Sequence, residues 1–357
     1  MIDRLLPTAI LGASGYIGQH FARLLADHPS FAAPRLGAGE RSGGRTLSEV
    51  WQLPDAPPAE LARERLERIS PGGLARSGVR VVFSALPSGT AGAVETELTR
   101  RGISVFSNAS DHRMDPTVPL LVPEVNRAHL SLVARSRSGR GILVTNPNCS
   151  AAGLVVALAP VVPSLRPRAI HVATYQSLSG AGYPGVPSLA IADNVVPFIR
   201  SEEEKLEAET ARMLGRLRRG RVAPSPVPVI AHCARVATRE GHLEAVTIEA
   251  TETPRLTTLQ DSWTRFDPLA ELDLPTAPHP PIVVRTEEDR PQPLRDRWEG
   301  SPIRARGMAV VVGRIRWSPP YLRFFVLSYN AVRGGAGGSV LNAELALREG
   351  VLPGVRP

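Results

Sequence analysis

Apolar and polar positions follow two regimes along this chain, and the change falls near residue 149. In the first regime short apolar runs alternate with helical stretches. Thr8 to Leu11 reads as a strand, the glycine-containing turn from Gly12 to Gly18 follows, and Gln19 to Asp27 has the spacing of an amphipathic helix. Pro34 to Ala38, the run from Val79 that ends in the small-residue turn Ser84 to Ser88, Ile103 to Asn108 and Ile142 to Thr145 read as further strands. Strands alternating with helices predict a doubly wound parallel α/β domain over residues 1–148. In the second regime the strands are longer and alternate: Ala169 to Ser177, His242 to Glu252, Met308 to Trp317 and Tyr321 to Asn330. The last two are joined by Ser318-Pro319-Pro320, the pattern of a hairpin. With a helix from Glu202 to Arg218, this predicts an α+β domain over residues 149–330 with a mainly antiparallel sheet. Pro275 to Pro293 reads as a loop or arm, and residues 331–357, glycine-rich and then helical, are expected to pack back on the first domain.

The first turn carries the spacing G-x-x-G-x-x-G between a strand and a helix. Gly12, Ala13, Ser14, Gly15, Tyr16 and Ile17 would bring backbone against a pyrophosphate resting on the helix N-terminus. At the end of the second strand, Arg41 and Ser42 favour a cofactor with a 2′-phosphate, NADP, while Glu40 pulls towards NAD. Ser84, Leu86, Pro87 and Ser88 end a buried strand and line the crevice expected at the carboxyl edge of such a sheet.

The run from Val144 to Gly153 sets Cys149 between a strand and a helix, just after Asn146-Pro147-Asn148. Free N–H groups and the positive end of the helix dipole favour a thiolate there, as a covalent nucleophile requires. The only other cysteine, Cys233, lies in a different context, so no disulfide framework is expected and a reducing, cytoplasmic setting fits. Met1-Ile2-Asp3-Arg4 leads straight into a strand without the pattern of a signal peptide, and no apolar run approaches the roughly 20 residues that cross a bilayer. Neither a membrane nor a metal site is expected. The net charge of +8 comes from scattered arginines, and only 5% of the residues are aromatic, which argues against nucleic acid. The densest basic cluster, Arg212 to Arg221, reads as a solvated helix end. Lys205 is the single lysine among 42 basic residues, and so marks a place that calls for a compact ammonium.

Cys149, Gln176 in Thr174-Tyr175-Gln176-Ser177-Leu178-Ser179-Gly180, Glu202 to Lys205, the Arg235/His242 pair and Ser107 to Met114 together resemble the aspartate-β-semialdehyde dehydrogenase family, in particular its archaeal and fungal branch. The likeness runs from the glycine turn to Arg333-Gly334-Gly335-Ala336-Gly337-Gly338. It implies that Cys149 forms a thioester, that His242 is the general acid/base managing thiol and thiohemiacetal protons, and that Gln176 orients the reacting group. It further implies Arg235 on the substrate α-carboxylate, Glu202 on the α-ammonium, Arg113 and Lys205 on phosphate, and Asn148 beside the phosphate or acyl group. Ser179, Gly180 and Asn330 would meet the cofactor. The implied reaction is reductive dephosphorylation of L-aspartyl-4-phosphate with NADP, and backbone N–H groups just beyond Cys149 are the expected donors to the developing oxyanion. The sequence departs from the family around its histidine, where Ala237-Thr238-Arg239-Glu240 replaces a Val-Pro-Val-like step and Leu243 replaces threonine. Alternatives are an acyl reductase acting on N-acetylglutamyl phosphate, malonyl-CoA or a modified aspartyl compound, and a non-catalytic dinucleotide-binding protein. Long strands in the second domain predict a homodimer or homotetramer.

Overall fold

The computed structural model describes residues 5–134 and 140–355. The chain divides into two compact units, one built from Met1–Leu121, Ala128–Asn146 and Gly335–Pro357, the other from Val122–Arg127 and Pro147–Gly334.

The first unit holds β1 (Thr8–Leu11), α1 (Tyr16–Leu25), β2 (Arg35–Gly37), β3 (Val81–Ser84), α2 (Ala91–Arg100), β4 (Ser104–Ser107) and β5 (Leu143–Thr145). The sheet order is β2-β1-β3-β4-β5, with every pairing parallel. The order reverses between β1 and β3, where a doubly wound sheet opens its crevice. The rings of Phe21, Phe31, Phe83 and Phe106 form a contiguous aromatic core. α1 starts at Tyr16, earlier than the pattern predicted, because Gly15 serves as its N-cap. The C-terminal helix Gly337–Arg348 lies in this unit against α1 and β4 and is buried almost throughout. Its buried Glu344 meets His28 Nε2 at 2.9 Å.

The second unit contains α3 (Cys149–Leu158), β6 (Pro167–Gln176), α4 (Glu202–Met213), β7 (Arg216–Arg218), β8 (Arg221–Ala223), β9 (Val229–Arg235), β10 (His242–Ala250), β11 (Ile282–Val284), β12 (Val310–Ser318) and β13 (Tyr321–Ser328). Its six-stranded sheet has the order β11-β12-β13-β10-β6-β9. The three central pairings are antiparallel, as predicted, while both edge strands, β11 and β9, pair in parallel. β11 lies inside the proline-rich stretch expected to be a loop, and is short enough to hide between its prolines.

The helix predicted to reach Arg218 stops at Met213. The arginine-rich cluster beyond it is a β-hairpin, not a solvated helix end: β7 and β8 pair across Arg219 and Gly220, whose φ values of 50° and 73° are those of a tight two-residue turn. α4 also protects the outer edge of β9. Glu203 accepts from Cys233 N–H and Glu207 from Ala231 N–H, each at 2.9 Å, and Arg235 N–H goes to Val196 O at 2.8 Å. Three donors that an edge strand would leave bare are thereby taken. Among the described residues, no helix is long and apolar enough to cross a membrane.

Candidate active site

Asn148 caps α3, and its side chain makes the nucleophile turn rigid. Its Oδ1 accepts from the N–H groups of Ser150 (2.9 Å) and Ala151 (3.2 Å), while its own backbone N–H donates to Glu209 Oε2 at 2.5 Å. Cys149 is therefore the first residue of the helix, half-buried, at the end that favours a thiolate. One expectation needs correction here. The N–H groups just beyond Cys149 do not wait for an oxyanion, because helix capping consumes them. The Asn148 amide is also tied to the protein: Oδ1 is the cap, and Nδ2 donates to Glu202 Oε1 at 2.9 Å.

His242 opens β10, is fully buried, and brings Nε2 to 3.2 Å from Cys149 Sγ. Its Nδ1 accepts the Ser177 backbone N–H at 3.1 Å, with Ser177 Oγ also at 3.1 Å. Burial, and then the charge of Arg235, pushes His242 down to about 3. Arg235 closes β9, is 7% exposed, and donates from Nη1 to Ser177 O at 2.7 Å. Burial pulls its guanidinium below the ordinary value, opposed by the charges of Cys149 and Glu202.

Gln176 closes β6 and pairs in register with Arg235. Its Nε2 donates to Glu202 Oε1 at 2.9 Å, the oxygen that also takes Asn148, so Oε2 receives neither amide. Glu202, Lys205 and Glu209 lie on α4; Lys205 is half-buried one turn beyond Glu202. Cys149, His242, Gln176, Arg235, Glu202 and Asn148 thus form one connected set. Arg113 belongs to the other unit, where it is buried and donates from Nη2 to Asn108 O at 2.6 Å.

Three residues expected to meet a cofactor take part in this set. A Cβ on Gly180 would lie 2.6 Å from Arg235 Nη1 and 3.2 Å from His242 Nε2. Asn330 Oδ1 accepts from Ser177 Oγ (3.2 Å) and Gly241 N–H (2.9 Å), and its Nδ2 donates to Ser179 Oγ at 2.9 Å. Asn330 is buried, and these contacts make it a brace for the histidine loop.

Sequence reasoning passed over Ser177, Glu209 and Glu244. Glu209 stands seven residues after Glu202, on the same helix face, and Glu244 two after His242, on the same strand face, so periodicity held a signal for both. Glu244 is 1% exposed, neither carboxyl oxygen has a hydrogen-bond partner among the described residues, and burial with the charge of Glu202 raises its pKa well above the ordinary value. Cys233 is buried nearby, and burial pushes its thiol up to about 12, which makes it inert.

In the first unit the glycine turn fits a dinucleotide. Gly12 has φ +81°, and a Cβ there would sit 2.7 Å from Ala85 O; one on Gly18 would sit 2.0 Å from Gly12 O. α1 begins without a side-chain cap, which leaves its N-terminus suited to a pyrophosphate. Ser84, buried, ends β3; Leu86 is partly exposed, and Pro87 and Ser88 are exposed beyond it. Asp111 fills the N-terminus of α2 by accepting from Gly89 and Gly92 N–H, each at 3.0 Å. Beyond β2, Glu40 pairs with Arg68 at 3.3 Å, while Arg41 is exposed and Ser42 partly so.

A glycine-turn parallel domain, with a half-buried cysteine at a helix start against a buried histidine on a separate mixed sheet, defines a dehydrogenase that works through a cysteine nucleophile. Residues 7–133 match the semialdehyde dehydrogenase NAD-binding domain, and residues 158–333 the semialdehyde dehydrogenase dimerisation domain. The chain belongs to the aspartate-semialdehyde dehydrogenase family. It is 43% identical to the aspartate-semialdehyde dehydrogenase of Archaeoglobus fulgidus, over 96% of this chain and 98% of that one. It is 39% identical to the malonyl CoA reductase (NADP) of Metallosphaera sedula, over 98% and 99%. Aspartate semialdehyde dehydrogenase with NADP from Candida albicans superposes with a TM-score of 0.87 at 33% identity, covering 97% of this chain and 100% of that one.

Proposed function

We propose that this chain catalyses the NADP-dependent reductive dephosphorylation of L-aspartyl-4-phosphate to L-aspartate-4-semialdehyde through a thioester on Cys149. The observation that carries the reading is the Cys149–His242 contact of 3.2 Å, set among two buried charges of opposite sign, Arg235 and Glu202. Those charges match the α-carboxylate and α-ammonium of an aspartyl group: a guanidinium grips a carboxylate by two prongs, and Glu202 keeps Oε2 for an ammonium. Cys149 Sγ attacks the acyl carbon, the C–O bond to phosphate breaks, and phosphate leaves with the bonding pair. Lys205 and Arg113 are assigned to that phosphate, and Gln176, tied to Glu202, fixes the acyl group.

NADPH, held at the glycine turn with Arg41 and Ser42 at its 2′-phosphate, supplies the hydride. His242 then faces the oxygen of the resulting thiohemiacetal as the C–S bond breaks and Cys149 is released. Arg68 supports the choice of NADP over NAD by engaging Glu40. Free cysteines suit a reducing cytoplasm. The sheet face bearing the half-exposed Tyr175, Ile230 and Tyr321 is assigned to pairing into a homodimer, the unit from which a tetramer would be built.

The test runs the reaction in reverse: L-aspartate-4-semialdehyde, phosphate and NADP, followed by NADPH absorbance. Phosphate-dependent formation of NADPH, abolished in Cys149→Ala with NADP binding retained, supports the reading. Turnover of malonyl-CoA instead would move the chain to the activity named for its Metallosphaera relative.

A further inference from the structure

The proposed reaction moves protons at a ring that water does not reach. His242 is fully buried, and its Nε2 faces Cys149 Sγ at 3.2 Å. During reduction the space over Cys149 must hold the acyl group and the nicotinamide, which excludes water from that side. Yet the alkoxide left by hydride transfer needs a proton to become the thiohemiacetal, and the thiol must lose one as it attacks. The remaining approach to the ring is through Nδ1, and there the structure sets a chain of hydroxyl groups.

Nδ1 faces Ser177 Oγ at 3.1 Å, and Ser177 Oγ faces Ser179 Oγ at 3.2 Å. Ser177 is buried, whereas Ser179 is partly exposed, next to the exposed Gly180. Two hydroxyl steps thus lead from the buried ring to the surface. Asn330 holds them in place. Its Oδ1 accepts from Gly241 N–H at 2.9 Å and from Ser177 Oγ at 3.2 Å, which turns Nδ2 to Ser179 Oγ at 2.9 Å. With the Asn330 amide as its donor, Ser179 Oγ keeps its own proton for Ser177 or for solvent. Ser177 also offers Nδ1 two kinds of partner at 3.1 Å: a backbone N–H, which only donates, and a hydroxyl, which donates or accepts. Either tautomer of the neutral ring therefore has a partner at Nδ1. The imidazolium is opposed by burial and by the charge of Arg235.

We infer that Ser177 and Ser179 form a proton relay through which His242 exchanges protons with solvent, the neutral ring transferring a proton at Nε2 while it loses or gains one at Nδ1. The inference deepens the proposed function and rests on it for the identity of the acyl group. In acylation the thiol proton passes from Sγ to Nε2, and the Nδ1 proton leaves through Ser177 and Ser179. Sγ bonds to the acyl carbon, and phosphate departs with the C–O pair. When the thioester is reduced, the Nε2 proton goes to the alkoxide and Nδ1 is refilled along the same path. As the C=O bond forms, the C–S pair returns to sulfur and the hydroxyl proton follows it across Nε2, restoring the thiol and the starting tautomer. One proton leaves and one enters by the relay, and the net proton consumed in the reaction is the one that the departed phosphate acquires in water. Neither hydroxyl touches the acyl group in this scheme; both are positioning residues that act through His242.

Exchange of the His242 ring proton with water, followed by NMR of the full-length protein carrying 15N-histidine, tests the relay without any substrate. The His242 signal is assigned by its loss in His242→Gln. The variants compared are Ser179→Val and Ser179→Thr, which have the same shape and differ in the hydroxyl. Exchange should be at least about tenfold slower in Ser179→Val than in Ser179→Thr; equal rates overturn the inference. The second arm is turnover of L-aspartate-4-semialdehyde. Ser177→Ala and Ser179→Val should each lose at least about tenfold in kcat, with KM and the Kd for NADP within about twofold and a larger solvent deuterium isotope effect. Ser179→Thr should recover most of that kcat. A loss that Ser179→Thr shares, or one carried by the Kd for NADP with the isotope effect unchanged, assigns the hydroxyls to packing or cofactor binding and overturns the relay. Absence of turnover in the parent enzyme would count against the proposed substrate alone, because the exchange rates still decide the relay.

Discussion

Gly180→Ala is the sharpest probe of how the site is packed. The added methyl would lie 2.6 Å from Arg235 Nη1 and 3.1 and 3.2 Å from Cε1 and Nε2 of His242. The φ of Gly180 lies outside the left-handed region, so the cost is contact alone. A free arginine end would swing away cheaply. Arg235 is buried, however, and its Nη1 is committed to Ser177 O at 2.7 Å, so moving it breaks a charged hydrogen bond. Such a bond contributes about 1.5–3 kcal/mol, and if that is lost where the substrate carboxylate binds, kcat/KM falls about 10- to 150-fold. Overpacking adds about 1–3 kcal/mol of destabilisation, visible in denaturation. The assay is phosphate-dependent NADPH formation at varied L-aspartate-4-semialdehyde, beside the Kd for NADP. The cofactor role that family resemblance gives Gly180 predicts weakened NADP binding; the geometry predicts unchanged NADP binding with impaired turnover. A kcat/KM within about twofold of the parent enzyme, or a loss confined to NADP affinity, refutes the packing argument.

Stability should depend on two buried histidines, His20 and His242, each depressed from 6.5 to about 3. Both are neutral in the fold and protonate on unfolding below 6.5, so the unfolded state binds more protons. Stability then falls as pH drops from 6.5 towards 3, by about 1.4 kcal/mol per pH unit per histidine. Melting curves across that range should flatten in His20→Gln and in His242→Gln; parallel curves would contradict the burial. Glu124→Gln breaks the paired contacts of Glu124 with Arg333 (2.6 and 2.8 Å, both side chains buried) and should cost about 3–5 kcal/mol in denaturant unfolding, a loss under about 1 kcal/mol showing the pair to be wet. Glu244→Met removes a buried carboxyl that has no hydrogen-bond partner among the described residues and should raise stability by about 1–3 kcal/mol; destabilisation would reveal a partner that holds that carboxyl.

Much of the first unit was legible because its signals are local. The glycine turn, the apolar strands and the Asn-Pro-Asn step before Cys149 each declare themselves within a few neighbours. The edge strands β9 and β11 were not legible, because a parallel partner far away in sequence supplies their hydrogen bonds. Nor was the β7–β8 hairpin, where Arg219-Gly220 occupies the positions that Asn-Gly marks more openly. The capping role of Asn148 depends on where one side-chain oxygen points, and spacing alone gives no hint of it. Ser177 meets His242 through its backbone N–H, which every residue but proline possesses, so no residue type announces it.

What the sequence could not supply, the ladder register does. His242 pairs with Ser328 on β13, Gln176 pairs with Arg235, and continuing the β6–β10 register by one residue sets Gln176 beside His242. Three of the groups assigned to chemistry therefore stand in one row, at the strand ends, where the chain departs into loops. The next row on the same face is Glu244, Thr174 and Cys233, joined by regular pairing. A slip of one residue in β10 would turn His242 and Glu244 to the opposite face together, so the register that seats the histidine also forces a carboxyl into the core behind it. The two cysteines show what this placement decides. Cys233 lies in the second row, within a strand, where burial pushes its thiol up to about 12. Cys149 lies over the first row at a helix start, half-buried and 3.2 Å from His242 Nε2. The same side chain is inert in one position and, on the proposed function, the nucleophile in the other because of what its sulfur faces.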